Sequence, residues 1–309
     1  MKPLNLFHIE NYTISTADWD HSLHDSGVVA FEEEFAEFVG AKYACSISSA
    51  TNAIFLIFLN RNLTVNVPSI IPPVVLNALI HGGNKINFTD DVGWVGGSYI
   101  LHEFDDYKII DSAQKVEQDQ FRKEANPEDL MFFSFYPTKP VGGLDGGMIV
   151  SNDYEKIKYF KEAVLNGMSY AKDNWEREIK FPGWKMYLNS FQASVAHQNL
   201  RKLPAKLLRL REIRTLYNEA FGLENTSGHL YRISVSDNKK ISQMLGEKRI
   251  TCGIHYKPMH IHPVYNAGKK YNCPKSLEAG GTTLSIPFNE GLRSRDLQYI
   301  IDNVSEVLA

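Results

Sequence analysis

Met131-Phe-Phe-Ser134-Phe-Tyr-Pro-Thr-Lys139-Pro-Val-Gly142-Gly143-Leu-Asp-Gly146-Gly147-Met-Ile-Val150 decides the reading of this chain. An apolar run ends at Ser134, a lysine follows five positions later, and four glycines come before a second apolar run. An ammonium set between a hydroxyl and flexible backbone, at the ends of two strands, suits covalent chemistry more than a surface charge. Lysine forms Schiff bases with carbonyl groups, and desolvation frees its lone pair by lowering its pKa. Taken alone, the segment fits a strand–loop–strand hairpin with an incidental lysine equally well.

Two further segments shift that balance. Ile109-Ile-Asp111-Ser-Ala-Gln114 ends a short apolar run on a carboxylate, with a glutamine three positions on. The run Tyr43 to Ile47 leads through Ser48-Ser49-Ala50-Thr51-Asn52 into a helix-like stretch from Ala53 to Leu59. Free backbone N–H groups at a helix start, with hydroxyls nearby, form an anion site. A phosphate site, a carboxylate and a lysine are the parts that pyridoxal phosphate requires: the helix start for its phosphate, the carboxylate for its ring nitrogen, the lysine for its aldehyde.

Working outward, short β-rich runs at Tyr43–Ser48, Thr64–Val67, Lys85–Phe88, Lys108–Asp111, Met131–Ser134 and Gly147–Ser151 alternate with helical patterns such as Ala30–Val39. This predicts an α/β large domain with a mostly parallel sheet and ligands at the strand C-termini. Ser48, Asp111 and Ser134 each sit at such an end. Leu188 to Phe221 reads as helical, with Pro204 starting a second helix. Leu230–Val235 reads as a strand, and Asp237 as the cap of a helix through Leu245. A final helix runs from about Ser294, with Leu297, Ile300, Ile301, Val304 and Leu308 facing inward. The expected division is a large domain over residues 1–202 and a smaller C-terminal α+β domain over 203–309.

The 309 residues are 43% hydrophobic with a formal net charge of −3. That balance gives no reason to expect nucleic acid or a membrane surface as partner. Cys45, Cys252 and Cys273 are too widely spaced for a disulfide framework or a metal site. His260 and His262 flank one residue, yet beside Pro258 and Pro263 they read as loop residues, so no metal is expected. The stretch from Met1 to Asp20 lacks a long apolar run, and cytoplasmic location is the default expectation.

The pieces together resemble the DegT/DnrJ/EryC1/StrS group of sugar aminotransferases, nearly end to end. Gly27 to Gly40 resembles its opening helix, Ser48-Ser49-Ala50-Thr51 its phosphate turn, Asp111-Ser-Ala-Gln114 its pyridine-binding motif, and Ser134 with Lys139 its lysine segment. Pro182-Gly183-Trp184-Lys185 resembles the segment that reaches a partner subunit, and His255-Tyr256-Lys-Pro258 the His-Tyr motif of the small domain. The resemblance implies pyridoxal 5′-phosphate held on Lys139, with Asp111 at the ring nitrogen and Gln114 beside the phenolic oxygen. It implies phosphate contacts from Ala50, Thr51, Asn52 and Ser134. Lys185 would reach the other subunit's phosphate in a homodimer with shared active sites. His255 and Tyr256 would line the pocket for a nucleotide-sugar, with an amino acid as amino donor.

Three departures stand out. Ile70-Ile71-Pro72-Pro73 occupies the place where relatives carry an aromatic ring that stacks on the cofactor, so stacking is weakened or supplied from elsewhere. The region between Asp91 and Asp111 is short; Tyr99 to Phe104 retains one strand, without its flanking helices. A parallel pair needs a crossover of about a dozen residues, so that face needs cover from loops or another subunit. Tyr187 stands where relatives often place arginine or asparagine. Two function classes follow: an aminotransferase moving an amino group from glutamate to a nucleotide-linked keto-sugar, which the intact Lys139 favours, or a reduced pyridoxal-phosphate-binding paralogue with a non-transferase role.

Overall fold

The computed structural model describes residues 2–9, 12, 26–169 and 176–308. In chain order the elements are α1 (Ser26–Val39), β1 (Tyr43–Ile47), α2 (Ala50–Phe58), β2 (Thr64–Pro68), α3 (Pro73–His81), β3 (Lys85–Thr89), β4 (Tyr99–Glu103), β5 (Lys108–Asp111), α4 (Gln120–Glu124), β6 (Leu130–Ser134), β7 (Gly147–Ser151), α5 (Tyr154–Val164), α6 (Ser190–Phe221), β8 (Tyr231–Ser234), α7 (Asn238–Glu247), α8 (Pro263–Asn266), α9 (Pro274–Thr282), β9 (Thr283–Ile286) and α10 (Ser294–Leu308). Among the described residues no helix is long and apolar enough to cross a membrane.

The central sheet has the order β1-β7-β6-β5-β4. β5 and β6 pair in parallel, whereas β7 is antiparallel to both β1 and β6. Hence β1, β5 and β6 share one direction, and β7 runs against them. A second parallel pair, β2–β3, packs beside β4. Every residue of β6 and β7 is buried, as a sheet covered on both faces requires. Side chains alternate between the two covers. Phe132 and Ile149 join the core under α2, α3 and α5, while Met131, Phe133, Met148 and Val150 join Phe31 and Phe35 of α1 and Leu200 of α6 on the other face.

The short region after Asp91 is solved by reversal. β4 is antiparallel to β5, with Tyr99 opposite Asp111, and the turn closes with Phe104 N–H donating to the Tyr107 carbonyl at 2.9 Å. An antiparallel hairpin needs no crossover, so the strand survives without its helices. Part of the face is closed by Leu101 packing into the core, while Ile100 is left exposed.

The C-terminal part is built on the antiparallel pair β8–β9, with α7, α9 and α10 and a third core that includes Tyr217, Tyr231, Ile233, Leu284, Ile286 and Ile300. The Asp237 side chain caps α7, accepting from the N–H groups of Lys239 and Lys240 at 3.0 and 3.1 Å. Two expectations are corrected. Pro204 does not start a helix; it lies inside the single 32-residue helix α6. Leu200 and Leu203 anchor α6 in one core and Leu210, Ile213 and Tyr217 in another, and burial on both sides of the proline outweighs its lost hydrogen bond. At the chain's end, Leu308 is 39% exposed, because the last turn of α10 has run past the core that buries Leu297, Ile300 and Val304.

Candidate active site

A cavity of about 570 Å³ opens where the expected strand ends converge. Ala50, Thr51, Asp111, Gln114, Ser134 and Lys139 all line it. The convergence follows from topology. β1 delivers its chain into α2, and β5 and β6, in parallel register, end on Asp111 and Ser134. Gly147 lets α2 approach: a Cβ there would lie 2.8 Å from both the Ala50 nitrogen and the Phe133 oxygen. No larger residue fits between the start of β7 and the helix terminus.

At the start of α2, the Ser49 side chain accepts from Asn52 N–H at 3.1 Å, and the Asn52 amide donates to Ser48 Oγ at 2.8 Å. Asn52 is thus committed to bracing the turn. The Ala50 and Thr51 N–H groups have no partner among the described residues. Orphan donors at the positive end of a helix dipole, with the Thr51 and Ser134 hydroxyls around them, form a receptor for an anion.

Lys139 is half-buried on the cavity wall, its own N–H donating to the Tyr136 carbonyl at 2.8 Å. Desolvation brings its ammonium down to a pKa of about 8, against the opposing pull of the Asp111 charge. Asp111 is buried, and burial raises its carboxyl above the usual range. Three groups oppose that rise: Ala113 N–H donating at 2.9 Å, Tyr99 O–H donating at 3.0 Å, and the charge on Lys139. Gln114 is fixed at both ends. Its oxygen accepts from Gly96 N–H at 2.8 Å, and its amide donates to the Tyr256 hydroxyl at 2.9 Å.

Not every expected residue arrives. Tyr256 lines the cavity. Its neighbour His255 does not; it pairs through Nδ1 with Ser285 Oγ at 2.9 Å, and burial lowers its pKa to about 4, so the ring is neutral near pH 7. Lys185 is exposed, bridges to Leu165, and stands outside this chain's own cavity. His260 is held by Ser69 Oγ at 2.5 Å, and no group of three or more metal-ligating side chains occurs among the described residues.

Sequence reasoning missed Trp94. It lines the cavity, lies parallel to Tyr256 at 6.1 Å, and tilts over Tyr99 at 4.6 Å. Its Nε1 is buried and has no acceptor among the described residues. A tryptophan in the Gly93-Trp94-Val-Gly96-Gly97 stretch was the available signal, but only its packing against Tyr99 and Tyr256 shows where it points.

Comparison with known proteins adds a family. The chain matches the DegT/DnrJ/EryC1/StrS aminotransferase family over residues 12–90 and 108–305. It is 26% identical to the spore coat polysaccharide biosynthesis protein SpsC of Bacillus subtilis, over 91% of this chain and 89% of that one. It is 24% identical to a UDP-4-amino-4,6-dideoxy-N-acetyl-beta-L-altrosamine transaminase of Campylobacter jejuni, over 90% and 89% of the two chains. A Streptococcus pneumoniae protein described as a sugar aminotransferase, solved in its PLP-form, shares the fold with a TM-score of 0.79, covering 98% of this chain and 99% of its own at 18% identity.

Proposed function

Because the chain belongs to the DegT/DnrJ/EryC1/StrS aminotransferase family, whose members are pyridoxal-phosphate-dependent enzymes, we propose that it transfers an amino group from glutamate to a nucleotide-linked keto-sugar. The Lys139–Asp111 pair facing one cavity is the observation that carries this reading. The donor set suits pyridoxal 5′-phosphate: an anion receptor at the α2 start, a buried carboxylate, a lysine of depressed pKa, and an aromatic wall with an orphaned indole N–H. When bound, that group supplies a conjugated ring that accepts the electrons released at the substrate's reacting carbon.

The protein's own residues do the rest. The Ala50 and Thr51 N–H groups, with the Thr51 and Ser134 hydroxyls, hold the phosphate. Asp111 holds a proton on the ring nitrogen, because a carboxylate in a partly dry site favours the cation beside it. Gln114, clamped between Gly96 and Tyr256, donates toward the phenolic side of the ring. Lys139 Nζ moves a proton at the donor's α-carbon, and a pKa of about 8 suits it to both taking and returning that proton near neutral pH. Tyr256 lines the keto-sugar side. The Campylobacter relative's name supports a nucleotide-linked sugar as acceptor.

The assembly we propose is a homodimer with shared sites. Lys185 is exposed and does not line its own cavity, which supports a role for it at a partner's phosphate. The division into residues 1–202 and 203–309 stays within this reading, with α6 as the rod joining the two parts. The intact lysine and carboxylate favour this reading over a binding-only paralogue. Purified protein with pyridoxal phosphate is expected to show a visible absorption band that glutamate bleaches. A band indifferent to glutamate and to other amino acids would refute the transferase reading.

A further inference from the structure

The segment from Asp91 to Tyr107 lies outside the family match, which resumes at residue 108. It is the internal break in that match. Its side chains nevertheless reach the centre of the site. In the β4–β5 register Tyr99 stands directly opposite Asp111, and cross-strand partners share a sheet face. The Tyr99 hydroxyl donates to Asp111 Oδ2 at 3.0 Å. The indole of Trp94 packs over the Tyr99 ring at 4.6 Å and forms part of the cavity wall. Gly96 N–H fixes the Gln114 side chain. Trp94, Gly96 and Tyr99, all from the short stretch that leads into β4, thus converge on two residues of the site.

We propose that this hairpin is a replacement cofactor support, in which Tyr99 is a positioning residue for Asp111 and Trp94 is the flat wall against which the cofactor ring lies. The inference rests on the functional reading above. The half-buried Tyr99 holds its hydroxyl desolvated beside a carboxylate, and both effects raise its pKa well above the usual tyrosine range, so it stays protonated and donates at any working pH. Its hydrogen bond stabilises the charged form of Asp111 and occupies one carboxylate oxygen. The other oxygen accepts from Ala113 N–H, and the carboxylate plane is thereby set by two fixed donors. Without the Tyr99 hydroxyl, burial acts on Asp111 less opposed, its basicity rises, and it becomes more able to take the ring-nitrogen proton for itself. Trp94 acts separately: a planar heterocycle gains from an aromatic face, and among the aromatic rings on the cavity wall (Trp94, Phe132, Tyr136 and Tyr256) Trp94 is the one whose buried polar atom has no partner among the described residues.

The test uses the full-length protein loaded with pyridoxal phosphate. Tyr99→Phe keeps the ring packed under Trp94 and removes only the hydroxyl. The pH midpoint of the visible absorption band is expected to move upward by about one unit, with kcat reduced about tenfold or more and KM for the amino donor unchanged within about twofold. A purely structural role for Tyr99 would lower thermal stability without moving the midpoint. For the wall, cofactor dissociation is followed by protein fluorescence. Trp94→Ala is expected to weaken binding by about three- to tenfold, and Trp94→Phe, which keeps an aromatic face, by less than about threefold. An unshifted Tyr99→Phe midpoint, or equal losses in the two Trp94 variants, overturns this inference while leaving the transferase reading intact. A wild-type protein that takes up no cofactor at all overturns both.

Discussion

Replacing Asp111 by asparagine removes the one charge that holds a proton on Lys139 against desolvation. In the wild-type protein these opposed effects leave Lys139 at a pKa of about 8, against 10.5 for an ordinary lysine. At about pH 7.5 a quarter of the molecules then carry a neutral Lys139 amine, compared with about one in a thousand for a solvated lysine, a gain of roughly 240-fold in nucleophile. In Asp111→Asn only desolvation remains, so the midpoint falls further. A fall of about one unit raises the neutral share at that pH from a quarter to roughly three quarters. The assay is amine-selective modification of the cofactor-free protein across the range from about pH 6 to 11, following the Lys139 peptide by mass spectrometry. The same variant, loaded with cofactor, is expected to run the glutamate half-reaction about a hundredfold more slowly, because the ring nitrogen loses its anionic partner. On this reading the carboxylate lowers the lysine's free-base population about threefold and promotes the chemistry about a hundredfold. An asparagine variant whose Lys139 midpoint stays put or rises would refute the electrostatic coupling. A wild-type midpoint close to 10.5 would refute the desolvation argument itself.

Three other outcomes are expected. Lys139→Met should stabilise the cofactor-free protein by up to about 3 kcal/mol near neutral pH; the folded state binds the Lys139 proton less tightly than the unfolded chain, so the gain is full below the folded pKa of about 8 and fades as pH rises toward 10.5, as urea titrations at several pH values would reveal. Gly147→Ala should cost about 1–3 kcal/mol and weaken phosphate-dependent cofactor binding, because its Cβ would press on the Ala50 nitrogen at 2.8 Å; unchanged denaturation and binding would contradict the close approach. Pro204→Ala restores a backbone donor within α6 and should raise stability by about 1–3 kcal/mol; a loss of stability would mean that the proline shapes the helix in a way its neighbours depend on.

Much of the site was legible in the chain because it is carried by local punctuation. Asp111 and Ser134 end apolar runs, and strand ends are where α/β folds gather ligands; Ser49 precedes a helical run and caps it. Six of the seven strands up to Ser151 lie within a residue of the β-rich runs at either end for the same reason, since each is a short apolar run between polar or glycine breaks. What escaped depends on distant partners. Pro204 reads as a helix start, and only the two cores on either side of it keep α6 continuous. His255 adjoins Tyr256 in sequence, yet Ser285, thirty residues on, draws it away from the cavity. The missing aromatic ring after Ser69 and the short region after Asp91 read as two separate losses. In the fold they meet, because the shortened region turns back as a hairpin and lays Trp94 and Tyr99 against the site.

The most direct test of the account is to reduce the pyridoxal-phosphate-loaded protein with borohydride, digest it, and locate the cofactor by mass spectrometry. The account predicts a single adduct on Lys139, abolished in Lys139→Ala. An adduct on any other lysine, or no adduct after saturation with cofactor, would contradict it.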